Sequence, residues 1–362
     1  MSVGIYTKKY IFGTGRIFLL SILLSACASQ LHSPARDHVL KIYPAPPDTT
    51  RIQYLTSIST STDITGKRSA FMEYVLGEEQ QQAINKPYGI TSRPGKIYIC
   101  DTMLGGLEII DLKNSGFEFF QPEGLGKLRK PINCFVDANG MLYVADAERN
   151  QIVIFSQNGN YLAAFGIGEE GRPTDVAVQG EYIYVADIRN HSIAVIDKDS
   201  RKVIRRLPEL EEGEEGFLNQ PSNLFIRGHR IYVSDFGDFK IKIYDLEGNY
   251  LSSIGSYGRQ TGQFVRPKGI AVDEQNHLYV VDAGFENVQI FNPNGELMLY
   301  FGGAYKTPGD MWLPAKVAVD YENTAYFQNY VNSAFDLHYL IYVTNQYGPD
   351  KVNVYGFVSP KK

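Results

Sequence analysis

The sequence predicts an all-β fold, a six-bladed β-propeller with four-stranded antiparallel blades. One pattern recurs six times, namely a Pro, a short apolar strand, an apolar-Tyr-apolar-small-Asp segment and a second alternating strand. Successive repeat tyrosines lie 45, 41, 48, 47 and 63 residues apart, which is the spacing of propeller blades. The repeat tyrosines are Tyr98, Tyr143, Tyr184, Tyr232, Tyr279 and Tyr342.

Conserved spacing within the repeat identifies structural positions. In the first five repeats the Pro precedes the Tyr by 11 or 12 residues, and a third strand begins six residues after the Asp. An Asp at a strand end accepts hydrogen bonds from turn N–H groups, so its presence in nearly every blade indicates a structural role and not catalysis. The repeat residues are Pro87, Pro131, Pro173, Pro221 and Pro267, followed by Asp101, Asp146, Asp187, Asp235 and Asp282, with Asn345 in the sixth repeat.

These repeats resemble the NHL repeat family, whose blades contain an xLYVAD strand and an Asn-His turn. The closest copy is Asp187-Ile188-Arg189-Asn190-His191-Ser192-Ile193. The resemblance covers residues 51–358 and implies the propeller fold. It does not imply one activity, because NHL propellers are ligand sensors, scaffolds or RNA binders, and related propellers are lyases and lactonases.

The N-terminal part of the repeat region supplies the strand that the last blade lacks. Blades one to five each have a fourth strand, but the chain ends soon after the third strand of blade six, which contains Val352–Tyr355. The stretch Arg51–Ile58 resembles the fourth strand around Tyr250–Ile254. We therefore expect it to close the ring as the outermost strand of blade six.

Residues 1–26 are typical of an export signal. Lys8, Lys9 and Arg16 precede an apolar run of about eight residues, which is too short to cross a bilayer. Leu24-Ser25-Ala26-Cys27 resembles the lipobox of bacterial lipoproteins, and this implies cleavage before Cys27 and lipidation of that residue, including palmitate. Residues 27–50 are polar and proline-rich, so we expect an extended tether. Residue 28 is Ala and not Asp, which suggests the outer membrane.

The net charge of the chain limits the classes of ligand that we expect it to bind. The signal contains three basic residues and no acidic residue, so its removal lowers the formal net charge from −5 to −8. An acidic domain argues against a nucleic-acid ligand. We expect the membrane to be reached through the lipid anchor and the main partner to be an envelope protein; the oligomeric state is left open.

Cysteine and histidine spacing gives no sign of a redox, haem or metal site. Cys100 and Cys134 occupy repeat positions filled elsewhere by small or apolar residues, which favours buried structural thiols over a disulfide. The six histidines are scattered. We predict no cofactor, no metal site and no catalytic residue.

A candidate ligand site is predicted at the mouth of the central channel, on the face that carries the repeat prolines and aspartates, here called the top face. The second residue after each repeat Pro should point away from the packed side of the innermost strand. Asn133, Asp175 and Asn223 would lie side by side, with Lys316 on the other side of the ring. This polar cluster would hold a cation or orient a small ligand, or else it caps the strand starts and binds water.

Three segments distinguish individual blades. The connection from Ser59 to Asn85 is long, and its stretch 67–82 could form an amphipathic helix. The segment 208–216 is strongly acidic, which is typical of a solvated loop or of a surface for a basic partner. An insertion in blade six, 320–338, contains five aromatic residues that either form an interface or fold back over the blade.

The sequence thus favours a non-catalytic binding or assembly scaffold, held at the cell envelope, for a protein or small ligand. The alternative is a metal-dependent propeller hydrolase or lyase of the lactonase type. A channel lined by convergent carboxylates or histidines would favour the enzyme, and Asp175 is the one carboxylate expected there.

Overall fold

A computed structural model describes Met1 and residues 40–66, 74 and 81–361. The fold is a six-bladed β-propeller, as predicted. Two short strands come first, β1 (Ile42–Tyr43) and β2 (Ile52–Ile58), followed by one turn of helix, α1 (Thr62–Thr65). No helix among the described residues is both long and apolar enough to span a membrane.

Blades 1 to 5 are four-stranded antiparallel sheets, each formed by consecutive strands. The fourth, outermost strand of each of these blades begins within one residue of the position expected from the sequence. The strands are, in blade 1, β3 (Pro87–Arg93), β4 (Lys96–Asp101), β5 (Gly106–Asp111) and β6 (Gly116–Phe120); in blade 2, β7 (Pro131–Val136), β8 (Leu142–Asp146), β9 (Gln151–Phe155) and β10 (Tyr161–Gly166); in blade 3, β11 (Pro173–Gln179), β12 (Tyr182–Asp187), β13 (Ser192–Asp197) and β14 (Val203–Leu207); in blade 4, β15 (Pro221–Arg227), β16 (Arg230–Asp235), β17 (Lys240–Asp245) and β18 (Tyr250–Ile254); and in blade 5, β19 (Pro267–Val272), β20 (Leu278–Asp282), β21 (Asn287–Phe291) and β22 (Leu297–Gly302).

Blade 6 combines strands from both ends of the propeller. Its sheet has the order β1-β2-β25-β24-β23, with β23 (Pro314–Asp320), β24 (Phe335–Asn345) and β25 (Val352–Pro360). Strand β2 pairs antiparallel with β25, so that Ile52 lies opposite Phe357 and Ile58 opposite Val352. The N-terminal strand therefore closes the ring, which confirms the prediction from the sequence.

The first strand of the sheet lies within the segment assigned to the tether. Ile42 pairs with Gln53, and the Lys41 ammonium contacts an Asp310 carboxylate oxygen at 2.5 Å. The propeller therefore begins about ten residues earlier than the repeat pattern indicates. Cys27 and most of the stretch 67–82 lie outside the described residues.

Apolar side chains on alternate strand positions pack between neighbouring blades. Six buried clusters result, and each joins residues of two adjacent blades. All six repeat tyrosines are buried in this packing. Cys100 and Cys134 are buried free thiols, in agreement with the expectation of structural cysteines.

The repeat aspartates are fully buried and join two chain segments on the top face. Each repeat Pro lies opposite its Asp in the strand register. The Asp101 carboxylate accepts hydrogen bonds from the backbone N–H groups of Asn85 and Lys86, which enter blade 1, and of Met103 and Leu104 in the following turn. Equivalent bonds occur in blades 2, 3 and 5. The structural interpretation of these residues is therefore correct.

The aromatic residues of the insertion in blade 6 differ in their exposure. The insertion forms a short helix, α2 (Thr324–Phe327), and a 3-10 turn (Gln328–Tyr330). Phe327 and Phe335 are buried and fold back over the blade, whereas Tyr326 is 42% exposed. The acidic loop is mainly exposed, which matches a solvated charge run.

Ring closure should depend strongly on the buried face of β2. Leu55 is 3% exposed and packs between blades 6 and 1, whereas Leu251 in the matching outer strand of blade 4 is 48% exposed. We expect Leu55→Ala to lower the free energy of unfolding by about 2–5 kcal/mol, because it leaves a cavity. Leu251→Ala should change it by less than about 0.5 kcal/mol. Denaturant titration of both variants measures the difference, and equal losses would contradict this role for β2.

Candidate functional site

The first strands of the six blades surround the propeller axis. Contacts run in order from β3 to β7, β11, β15, β19 and β23, and back to β3. The second residue after each repeat Pro therefore lies near the axis. Asn133, Asp175, Asn223 and Lys316 come together there, as the repeat geometry indicated.

The four side chains form one hydrogen-bonded network. Lys316 Nζ lies 2.5 Å from Asp175 Oδ2 and 3.2 Å from Asn223 Oδ1. Asn133 Nδ2 donates to the Thr174 carbonyl at 2.7 Å. Asp175 also accepts the backbone N–H of Leu224 at 3.0 Å. A buried ion pair across the ring thus connects blades 3 and 6.

The network is buried, and its packing is tight. Burial raises the pKa of Asp175 above its ordinary value, and the Lys316 ammonium opposes that rise. A Cβ atom at Gly89 would lie 2.6 Å from the Asn133 Cα, and one at Gly269 would lie 2.4 Å from the Lys316 Cα. Glycine is therefore the residue that fits at these two positions of the ring.

The chemistry of this cluster differs from that of an open cation site. The ammonium of Lys316 contacts the oxygens of Asp175 and Asn223, which are the ligands that a bound cation would need. Among the described residues, no group of three or more His, Cys, Asp and Glu side chains is arranged to hold a metal ion. The network joins the blades in the way that a buried structural pair does.

Two residues at the mouth were not singled out from the sequence. Tyr88 and Lys268 each follow a repeat Pro directly, and the Lys268 ammonium lies 5.3 Å from the centre of the Tyr88 ring. Burial raises the pKa of Tyr88 to about 12, while its hydrogen bond to Asn223 acts in the opposite direction.

A groove lies on the bottom face, the face opposite the top face. It is formed by blade 6 and the adjoining part of blade 5. Strands β24 and β25 have 11 and 9 residues, whereas the second strands of blades 1 to 5 have five or six. The extended hairpin and the insertion border a groove of about 540 Å³. It is lined by Glu274, Gln275, Tyr321, His338, Tyr339 and Phe357.

Aromatic rings and one buried carboxylate give this groove a fixed shape. The rings of Tyr339 and Phe357 stack at 4.7 Å, and Tyr321 lies 4.8 Å from Tyr339. Beneath them, Asp273 accepts hydrogen bonds from the hydroxyl groups of Tyr339 and Tyr279, at 3.2 and 3.3 Å. Burial raises the pKa of both tyrosines, so the hydroxyls remain protonated donors.

A buried carboxyl pair lies in blade 1. Glu108 is 1% exposed, and its carboxyl group lies near the Asp101 carboxylate. Burial and the charge of Asp101 raise the pKa of Glu108 to about 9. At neutral pH Glu108 therefore holds its proton, which reduces the repulsion between the two groups.

The buried ion pair gives a quantitative expectation for stability. Lys316→Met leaves the Asp175 carboxylate buried without its cation and should lower the free energy of unfolding by about 3–5 kcal/mol. Adding Asp175→Asn should recover part of the loss, so that the double variant is more stable than the sum of the two single effects by about 0.5–3 kcal/mol. The exposed Lys202 provides the control, since Lys202→Met should change stability by less than about 0.5 kcal/mol. Strictly additive losses in chemical denaturation would show that the two groups do not interact.

Comparison with known proteins supports the fold. A family profile described as a 6-bladed beta-propeller matches residues 209–355. The chain is similar to a structural genomics protein of unknown function from Bacteroides thetaiotaomicron, with 15% identity, a TM-score of 0.56, and coverage of 85% of this chain and 76% of that chain. It is also similar to a catalytically inactive virginiamycin B lyase from Staphylococcus aureus solved with quinupristin, with 15% identity, a TM-score of 0.53, and coverage of 75% and 95%. A search of curated proteins found no match. At these identities the likeness shows the β-propeller fold and nothing finer.

Proposed function

We propose that this protein is a non-catalytic binding or assembly scaffold of the cell envelope, and that it binds a protein partner through the groove on its bottom face. The observation that carries the proposal is the groove itself, which the extended hairpin of blade 6 adds to an otherwise regular propeller. Residues that differ between repeats are the ones free to serve recognition, because those shared by every blade serve the fold.

The composition of the groove favours a protein partner. Tyr321 and Phe357 offer half-buried aromatic surface, which the buried Tyr339 supports from below, and aromatic residues are enriched at protein interfaces. Glu274, Gln275 and His338 are exposed around them and supply a polar rim. An aromatic centre with a polar rim is the arrangement of a protein-binding hot spot.

The centre of the propeller supports the same conclusion by its chemistry. The Lys316 ammonium and the Asp175 carboxylate balance each other's charge, so this pair needs no bound ion for neutrality. The alternative, a metal-dependent propeller hydrolase or lyase, would require Asp175 to exchange the Lys316 ammonium for a cation. We therefore favour the scaffold.

Attachment to the membrane is part of the proposal. The lipobox resemblance at Cys27 and the proline-rich tether support a lipoprotein of the outer membrane whose propeller lies a short distance from the lipid. The Asp187-to-His191 segment supports assignment of the blades to the NHL type. In this proposal the lipid anchor determines where the protein is located, and the groove determines which partner it binds.

Site-specific photocrosslinking tests the binding surface. A photoreactive residue in place of His338 should give a crosslinked product of defined mass in intact cells, whereas the same residue at Leu125, exposed on the top face, should not. Adding Tyr321→Ala should reduce the product at His338 by about tenfold or more, since hot-spot truncations cost 2 kcal/mol or more. Tyr300→Ala, which removes an exposed tyrosine from the outside of blade 5, should leave it unchanged. Equal products from both faces, or no effect of Tyr321→Ala, would contradict the proposal.

The anchor has its own test. Cys27→Ser should move the protein out of the membrane fraction and leave the signal uncleaved, because the acylated thiol is missing. Ala28→Ser, one residue further, should leave fractionation unchanged. Mass spectrometry of the wild-type protein should find acyl chains at Cys27, and an unmodified Cys27 in a protein that still fractionates with membranes would disprove the lipoprotein assignment.

A further inference from the structure

The top face has a basic rim although the chain is acidic as a whole. The residue before the repeat Pro is basic in four of the six blades, and each donates its backbone N–H to the carboxylate of its own repeat Asp. These bonds fix the backbone next to the innermost strand and leave the side chains available. The four residues are Lys86, Lys130, Arg172 and Arg266.

Lys268 adds a buried cation inside this rim. It directly follows the repeat Pro of blade 5 and reaches to the Tyr88 ring of blade 1, with the ammonium 5.3 Å from the ring centre. The residue is 9% exposed. In the part of the chain that the structure describes, no acidic side chain pairs with it. A cation–π contact of this kind compensates only part of the lost hydration.

Like charges surround this ammonium. Burial, together with the nearby Arg266 and Lys86, lowers the pKa of Lys268 to about 8. Neither Arg266 nor Lys86 forms an ion pair with a described residue, although Lys86 lies 5.2 Å from the centre of the Tyr347 ring. The charges of Arg266 and Lys86 thus act on Lys268, and none of the three cations forms an ion pair with a described residue, in contrast to Lys316, whose ammonium contacts Asp175.

We propose that the top mouth, between blades 5 and 1, binds the oxyanion of a small ligand, a phosphate or a carboxylate, through Lys268, Arg266 and Lys86. The guanidinium of Arg266 provides a planar pair of donors for two oxygens, and the two ammonium groups provide point charges. Binding neutralises the repulsion among the three cations. The site is independent of the groove, which lies on the opposite face.

Calorimetric titration with inorganic phosphate and with citrate tests the site in the purified full-length protein at constant ionic strength. The wild-type protein should bind at least one of the two anions. Lys268→Gln and Arg266→Gln should each weaken binding by about tenfold or more, the effect of removing one charge-assisted hydrogen bond. Lys202→Gln removes an exposed charge from the bottom face and should bind as the wild type does.

A second measurement requires no variant. Lys268 should react readily with an amine-acetylating reagent near pH 8, and the bound anion should slow this reaction at Lys268 but not at Lys202, as followed by mass spectrometry. Preference for phosphate or for citrate identifies the oxyanion. Absence of binding by both anions, or equal binding by wild type, Lys268→Gln and Arg266→Gln together with unchanged acetylation of Lys268, would overturn the proposal.

Discussion

The Asp carboxylate at the end of the second strand of blades 1 to 5 is the contact on which the organisation of this propeller depends. In blades 1, 2 and 5 it accepts two N–H groups from the chain that enters the blade and two from the following turn. A single buried charge thereby fixes where each blade starts and where its second strand turns. Hydrogen bonds to a charged acceptor are among the stronger ones in proteins, and leaving such a carboxylate unsatisfied would be costly.

The same contact explains why the top face can carry recognition groups. The aspartates hold the backbone of Lys86, Lys130, Arg172 and Arg266, and these hydrogen bonds do not use the side chains. A backbone that is already rigid reduces the conformational entropy that binding must offset. On the bottom face the extended hairpin of β24 and β25 provides the rigid support. Its aromatic residues stack over Asp273.

Most of the fold could be predicted from the sequence, because blade repeats are local and have fixed spacing. The Pro-to-Tyr distance placed the first and second strands of blades 1 to 5, and the similarity between the stretches around Tyr54 and Tyr250 identified the closing strand. The positions near the axis were also predictable, since the repeat assigns equivalent residues to equivalent places. The repeat pattern does not show which side chains contact each other across the ring. The contact of Lys316 with Asp175 joins blades 3 and 6 through a flexible lysine, and that of Lys268 with Tyr88 depends in the same way on a rotamer.

The groove was less predictable, because the insertion has no counterpart in the other blades. Its five aromatic residues could be counted, but their division between core and surface depends on the shape of the hairpin beneath them. Phe327 and Phe335 are buried, whereas Tyr321 lines the groove. The alternation pattern of a strand cannot decide this for residues in a short helix and a 3-10 turn.

Closure by the N-terminal strand also sets the order of events during folding. Blades 1 to 5 are built from neighbouring strands and can form as the chain emerges, but Ile52 must wait for Phe357, about 300 residues later. At a synthesis rate of about 5–20 residues per second, that interval is about 15–60 s. During this interval Ile52, Leu55 and Ile58 of strand β2 lack their final partners. One hydrogen-bonding edge of β2 is also unpaired. The pairing that joins the two ends of the propeller is thus also the one that completes it, and before closure the unpaired edge of β2 is open to strand-to-strand association with other copies.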